Sequence, residues 1–189
     1  MTPLQAKRDK HFPPFALDNP LRRLFGSPRR YCVYVGAGQT VADLGCGPGF
    51  YTLALAGSVG PAGQVFAVDS DARAIRALQR KATRRGYAHI SAHVGSAADL
   101  RFIADGAVDF VLADGLLCSM APQDHASAVS EMRRVLKPSG RAFLQVAQGS
   151  MSYVDRDEWE AILAGFHVER RNRDRAAGDR WALVSPAIP

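Results

Sequence analysis

The sequence predicts an α/β fold: a doubly wound, mostly parallel seven-stranded sheet with helices on both faces and an antiparallel hairpin at one edge. Two observations carry this. From residue 40 onward, short apolar runs alternate with longer amphipathic stretches. Those runs are almost continuously apolar, the pattern of strands buried on both faces. A third observation places the edge, because the last two runs flank a short polar segment in the manner of a hairpin.

The strand candidates are TVADL (40–44), QVFAVD (64–69), HISAHV (89–94), VDFVLAD (108–114) and RAFLQVA (141–147). Helix candidates cover 50–58, 71–85, 123–136 and 155–165. Ser70 and Asp71 stand where the second helix needs a cap, and Asp155 with Glu158 has capping-box spacing. Pro138 and Gly140 are expected to close the helix that ends at Lys137. FHVERRN (166–172) and RWALVSP (180–186) flank DRAAGD and are expected to form a hairpin that completes seven strands. Residues 1–20 are polar, basic and broken by prolines, and read as a loose arm. Two short helical pieces follow, PLRRLF and SPRRYCVYV, the second with Ser27 as N-cap and Pro28 at the first helical position. The chain therefore divides into an arm with cap helices, 1–38, and a main domain, 39–189.

Composition narrows the function classes. Hydrophobic residues make up 47% of the 189, enough for a full core, and 22% are charged, which excludes wholesale disorder. The net charge of +6 admits an anionic partner. Only four of the 24 basic residues are lysines, however, and apart from Arg170, Arg171, Arg173 and Arg175 they are scattered, so nucleic acid is not the favoured partner. Three cysteines, Cys32, Cys46 and Cys118, without paired spacing argue against a disulfide framework and against a zinc site. No metal site is expected. The N-terminus lacks a secretory h-region and no apolar run approaches the roughly 20 residues that span a bilayer, so the expected setting is the cytoplasm.

The chemistry centres on VADLGCGPGFYT (41–52), where an apolar strand runs into Gly45, Gly47 and Gly49 and then a helix. Glycines permit a sharp turn and close approach of a ligand, and such a loop lies at the usual crevice of an open α/β sheet. A dinucleotide fingerprint fails, because the sixth position from Gly45 is Phe50. The P-loop pattern is absent. Gly36-Ala37-Gly38 is a decoy, since it needs a helix where TVADL gives a strand.

DLGCGPG, followed some 20 residues on by an acid ending the second strand, resembles motif I of class I (Rossmann-like) S-adenosylmethionine (SAM)-dependent methyltransferases, the type 11-like group among them. VFAVDSD (65–71), GSAADL (95–100), DFVLADGLL (109–117) and EMRRVLKPSG (131–140) resemble the later motifs in the same order and spacing. The resemblance spans residues 35–150. It implies that SAM is the cofactor and S-adenosylhomocysteine the product. It further implies that Gly45, Cys46, Gly47 and Gly49 border the methionine part, with Asp43 at the loop's base. Asp69 would accept hydrogen bonds from the ribose hydroxyls, with Ser70 beside the adenine. Ser96 stands where the family often has Asp, so Ser96, the Ala97 backbone N–H or Asp99 would read the adenine. Cys46 reads as a space-filler rather than a nucleophile, Asp99 equally as a helix cap, and Asp43 equally as an organiser of the loop.

A sulfonium methyl is already activated, so the protein's contribution is position and desolvation, roughly 7–11 kcal/mol in favourable cases. Asp114 is the candidate catalytic residue: it orients or deprotonates an acceptor, or else caps the turn after its strand. Tyr31, Leu116, Cys118 and Tyr153 are the candidate acceptor-pocket residues, while His125 is expected to be solvated and Trp159 and Phe166 to lie in the core. ADGL is not [DNS]-P-P-[YFW], which disfavours amide or adenine nitrogen chemistry. With only short segments left to build a lid, the favoured partner is a small-molecule acceptor, in a monomer or homodimer. The competing readings are an RNA or protein methyltransferase and a non-catalytic SAM-binding regulator.

Overall fold

The computed structural model describes Asp9 and residues 27–148, 152–172 and 179–187. Its strands are β1 (Thr40–Leu44), β2 (Gln64–Asp69), β3 (Ile90–Val94), β4 (Val108–Asp114), β5 (Leu136–Val146), β6 (Phe166–Arg171) and β7 (Arg180–Pro186). They form one sheet in the order β3-β2-β1-β4-β5-β7-β6. Neighbours are parallel from β3 to β5, and β7 runs antiparallel between β5 and β6. The order reverses between β1 and β4, so the crevice of this doubly wound sheet opens at the C-terminal ends of those strands.

Side-chain alternation along the strands sorts the core into two layers. Val41, Val65, Phe110, Leu112 and Phe143 face α1 (Thr52–Val59), with Ala67 facing α2 (Ala72–Arg84) on the same side. Ala42, Leu44, Val111, Ala113, Leu144 and Val146 face α3 (His125–Val135) and α4 (Arg156–Leu163). In α2, Ala74, Ile75, Leu78 and Ala82 are buried while the arginines of the opposite face stay in water, and Asp71 caps the helix by accepting the Arg73 N–H at 2.8 Å.

Four local expectations change. First, α3 ends at Val135 and β5 begins at Leu136, five residues before RAFLQVA, because Leu136 already pairs with Val108. A register shift between Val108 and Phe110 absorbs the extra length, so Pro138 and Gly140 lie inside the irregular start of β5 instead of capping a helix. Second, Ser27 opens a turn, accepting the Arg30 N–H on its carbonyl at 3.1 Å, and only a short 3-10 helix (Cys32–Tyr34) follows. Tyr31 is pinned there between Tyr51 and Phe143, each ring centroid 4.8 Å away, which fixes the turn by packing. Third, the capping box is half closed. Asp155 accepts the Glu158 N–H at 2.9 Å, but the Glu158 carboxylate turns away to His125. Fourth, His125 is 2% exposed, not solvated.

Trp159 and Phe166 are buried as expected. Asn172 closes the β6–β7 hairpin, accepting the Trp181 N–H at 2.9 Å and donating to the Asp179 carbonyl at 2.7 Å. Most of the DRAAGD turn, the PLRRLF piece and all of the N-terminal arm except Asp9 lie outside the described residues. Among the described residues no helix is long and apolar enough to cross a membrane.

Candidate active site

The loop after β1 doubles back over the end of β2. Gly45 and Cys46 both donate their N–H groups to the Val68 carbonyl, at 2.8 and 3.0 Å, and Gly49 N–H closes onto the Cys46 carbonyl at 3.1 Å. Two glycines are sterically required. Gly45 has φ +75°, and a Cβ there would lie 3.2 Å from the Leu116 side chain across the crevice. Gly49 has φ +89°, and its Cβ would lie 2.5 Å from Leu78 Cδ1, which lets α2 pack against the loop. At the loop's base the buried Asp43 accepts the Thr52 hydroxyl at 2.5 Å, tying β1 to the first turn of α1.

Asp69, at the end of β2, accepts the Gly47 N–H on Oδ2 and the Asp71 N–H on Oδ1, both at 2.8 Å. The carboxylate is thus held rigidly at the mouth of the glycine loop. Opposite it, the segment after β4 winds into a turn in which Cys118 Sγ donates to the Gly115 carbonyl at 3.2 Å and Ser119 Oγ to the Leu116 carbonyl at 2.8 Å. His125 anchors this segment from beneath. Its Nδ1 meets Glu158 Oε1 at 2.7 Å, and its Nε2 meets the Leu117 and Met120 carbonyls at 2.9 and 3.3 Å.

These elements enclose a cavity of about 290 Å³, at the lower edge of the roughly 300–1,000 Å³ usual for ligand sites. Asp43, Gly45, Cys46, Gly47, Asp69, Ser70, Ser96, Ala97, Asp114, Leu116 and Cys118 all line it. Ser96 Oγ is engaged in accepting the Ala98 N–H at 3.1 Å. Four of the residues singled out in the sequence do not line it. Gly49 faces the α2 interface. Asp99 points outward and is held by Arg101 at 2.8 Å, so its acid serves a surface ion pair. Tyr153 donates its backbone N–H to the Cys118 carbonyl at 3.0 Å and supports the wall from behind. Tyr31 is 1% exposed and reaches the site only through its hydroxyl, which donates to Asp114 Oδ2 at 2.7 Å.

Sequence reasoning missed Asp9, Phe50, Tyr51 and Met120, all of which line the cavity. Asp9 accepts the Ala121 N–H at 2.8 Å, so at this point the arm is docked, not loose. A single acid in an aperiodic arm carries no signal that would have revealed this.

Charge in the cavity is one-sided. Asp9, Asp43, Asp69, Asp71 and Asp114 line it, and among the described residues no lysine or arginine does. Such a site suits a cationic sulfonium and a cofactor rich in hydroxyl and amino donors. Burial, with Asp43 and Asp69 close by, pushes the Cys46 thiol up, and burial does the same to Cys118. Both are therefore protonated at neutral pH and are poor nucleophiles. Burial, reinforced by the Asp114 carboxylate, holds the Tyr31 phenol protonated well beyond its ordinary range.

Comparison with known proteins supplies the chemistry. A family profile described as a methyltransferase domain matches residues 41–140. The chain is 34% identical over 107 residues to a demethylmenaquinone methyltransferase of Anoxybacillus flavithermus, covering 57% of this chain and 44% of that one. It thus spans under half the length of the demethylmenaquinone methyltransferases it matches. It is 30% identical over 207 residues, 97% of each chain, to a ribosomal RNA large subunit methyltransferase E of Cenarchaeum symbiosum. Its fold is similar to that of a SAM-dependent methyltransferase from Aquifex aeolicus, with a TM-score of 0.71 at 24% identity over 92% of this chain and all of that one. A glycine loop at the sheet's switch point, a carboxylate closing the second strand and a match that runs from β1 into the start of β5 make this chain a member of the class I, Rossmann-like family of SAM-dependent methyltransferases.

Proposed function

We propose that the chain transfers the methyl group of SAM to a small-molecule acceptor, with residues 39–189 as the catalytic domain. The observation that carries this reading is the cavity itself: it is small, rich in carboxylates and, among the described residues, lined by no cation to hold phosphate, and its far wall is apolar (Leu116, Cys118, Met120). Bound there, SAM supplies an activated methyl for in-line displacement. The chain's own residues do the rest. Gly45, Cys46 and Gly47 border the methionine end, Asp69 accepts from the ribose hydroxyls, and Ser70, Ser96 and the Ala97 backbone flank the adenine. Asp114, held by Tyr31, orients the acceptor or accepts its proton. Leu116 and Cys118 exclude water around the transferred group, which strengthens every polar contact within.

The test is transfer of labelled methyl from SAM, with purified enzyme, into a small-molecule extract and separately into total RNA. Label in a low-mass product supports this reading, and label confined to RNA refutes it. RNA is the second reading, favoured by the match over 97% of both chains to the archaeal relative named for ribosomal RNA.

A further inference from the structure

On the reverse side of the glycine loop lies a second groove of about 710 Å³, bounded by the turn at Pro28–Cys32, the outer flank of α1 and the end of α2. It is the electrostatic opposite of the cofactor cavity. Arg29 and Arg85 line it, and among the described residues no aspartate or glutamate does. Neither guanidinium has an acidic partner among the described residues. The α2 dipole accounts for a cation at that helix's C-terminal end, where Arg85 is the cap residue. It does not account for Arg29, which a separate segment delivers to the same space. A third donor joins them: the Tyr87 hydroxyl lies against Gly57, where a Cβ would sit 3.1 Å from it, so the missing side chain leaves that hydroxyl open to the groove. Phe50 lines both the groove and the cofactor cavity and separates them.

Two guanidiniums and a phenol, brought to one groove by two chain segments and with no acid lining it among the described residues, form the donor set that a phosphate group satisfies. We propose that this groove is a phosphate-binding site distinct from the cofactor cavity, with Arg29 and Arg85 as its charged ligands and the Tyr87 hydroxyl as its neutral donor. The phosphate belongs either to a small phosphate ester or to the backbone of a nucleic acid strand.

The test is calorimetric titration of the S-adenosylhomocysteine-saturated protein, so that the cofactor cavity is already filled. The probes are inorganic phosphate, ribose 5-phosphate and a single-stranded 12-nucleotide RNA. At least one probe is expected to bind, and Arg29→Ala/Arg85→Ala to weaken it at least tenfold while S-adenosylhomocysteine affinity stays unchanged. Tyr87→Phe weakens it less. If the source is a nucleic acid strand, only the 12-mer binds well, and the double variant lowers its log–log salt slope by about 0.7, the value for one phosphate contact. If the source is a small ester, ribose 5-phosphate binds at least as well as the 12-mer. The proposal is overturned if no probe binds, or if the double variant binds all three as the wild type does.

Discussion

Asp69 offers the sharpest test of the cofactor site. Each of its oxygens already accepts one backbone N–H, from Gly47 and from Asp71, at 2.8 Å. A carboxylate offers about four lone-pair sites, and Asp69 lines the cavity, where it can accept from both hydroxyls of a vicinal diol. Hydrogen bonds to a charged group contribute about 1.5–3 kcal/mol apiece, so two give at least about 3 kcal/mol. At about 1.4 kcal/mol per tenfold, Asp69→Ala is expected to weaken SAM and S-adenosylhomocysteine binding by roughly a hundredfold or more. The variant also loses the bonds to the Gly47 and Asp71 N–H groups, at about 1–3 kcal/mol of stability, with each kcal/mol worth some 2–4 °C in Tm. Asp69→Asn keeps one acceptor oxygen and should fall between wild type and alanine. Calorimetric titration with S-adenosylhomocysteine, paired with a thermal melt, separates the two effects. If the alanine variant binds within about threefold of wild type while its Tm falls, Asp69 only braces the loop and the cofactor assignment fails.

Other perturbations follow from the same geometry. Gly49→Ala adds a Cβ 2.5 Å from Leu78 Cδ1 at φ +89°, so backbone strain of about 1–2 kcal/mol adds to about 1–3 kcal/mol of overpacking. Gly38→Ala, at φ +78° with nothing within 4 Å, incurs only the backbone part, and equal melting shifts for the two would refute the Leu78 contact. Tyr31→Phe removes the donor to Asp114 and should lower kcat several-fold with the KM for SAM unchanged; unaltered turnover would remove Tyr31 from the site. Arg134 above all, then the Leu100 N–H, holds the Glu131 carboxyl below its ordinary value of 4.5. Its contribution is therefore present above about that pH and is lost as pH falls through the lowered folded value. Glu131→Gln should be less stable than wild type by about 1–3 kcal/mol at pH 7, with the gap shrinking in acid; a gap that stays constant down to pH 2 would contradict this.

What the chain announces in its sequence is what local chemistry decides. Strands β1, β2, β4 and β7 start and stop at the residues expected, because each is a short apolar run ended by glycine, acid or proline. The glycine loop was legible for the same reason: three glycines in five residues leave few conformations besides a tight reversal. Residues whose role depends on a distant partner were not legible. Nothing in KPSG says that Leu136 pairs with Val108, and His125 reads as surface until Glu158 arrives beneath it. Asp99 looked like a cavity residue by its position in a motif, but Arg101 two residues on captures it. Tyr31 shows the limit most clearly: its aromatic neighbours and Asp114 come from three separate segments, and only the assembled sheet directs its hydroxyl at the site.

The bonds that His125 makes have an evolutionary consequence. Through Leu117 and Met120 it fixes the wall an acceptor would meet, and through Glu158 it hangs that wall on α4, a helix that lines no part of the cavity. Substitutions along α4 can therefore shift the wall while the loop at β1 and the acid at β2 stay untouched. A lineage can retune which molecules it methylates by drifting at the back of the protein, and the cofactor half need never notice.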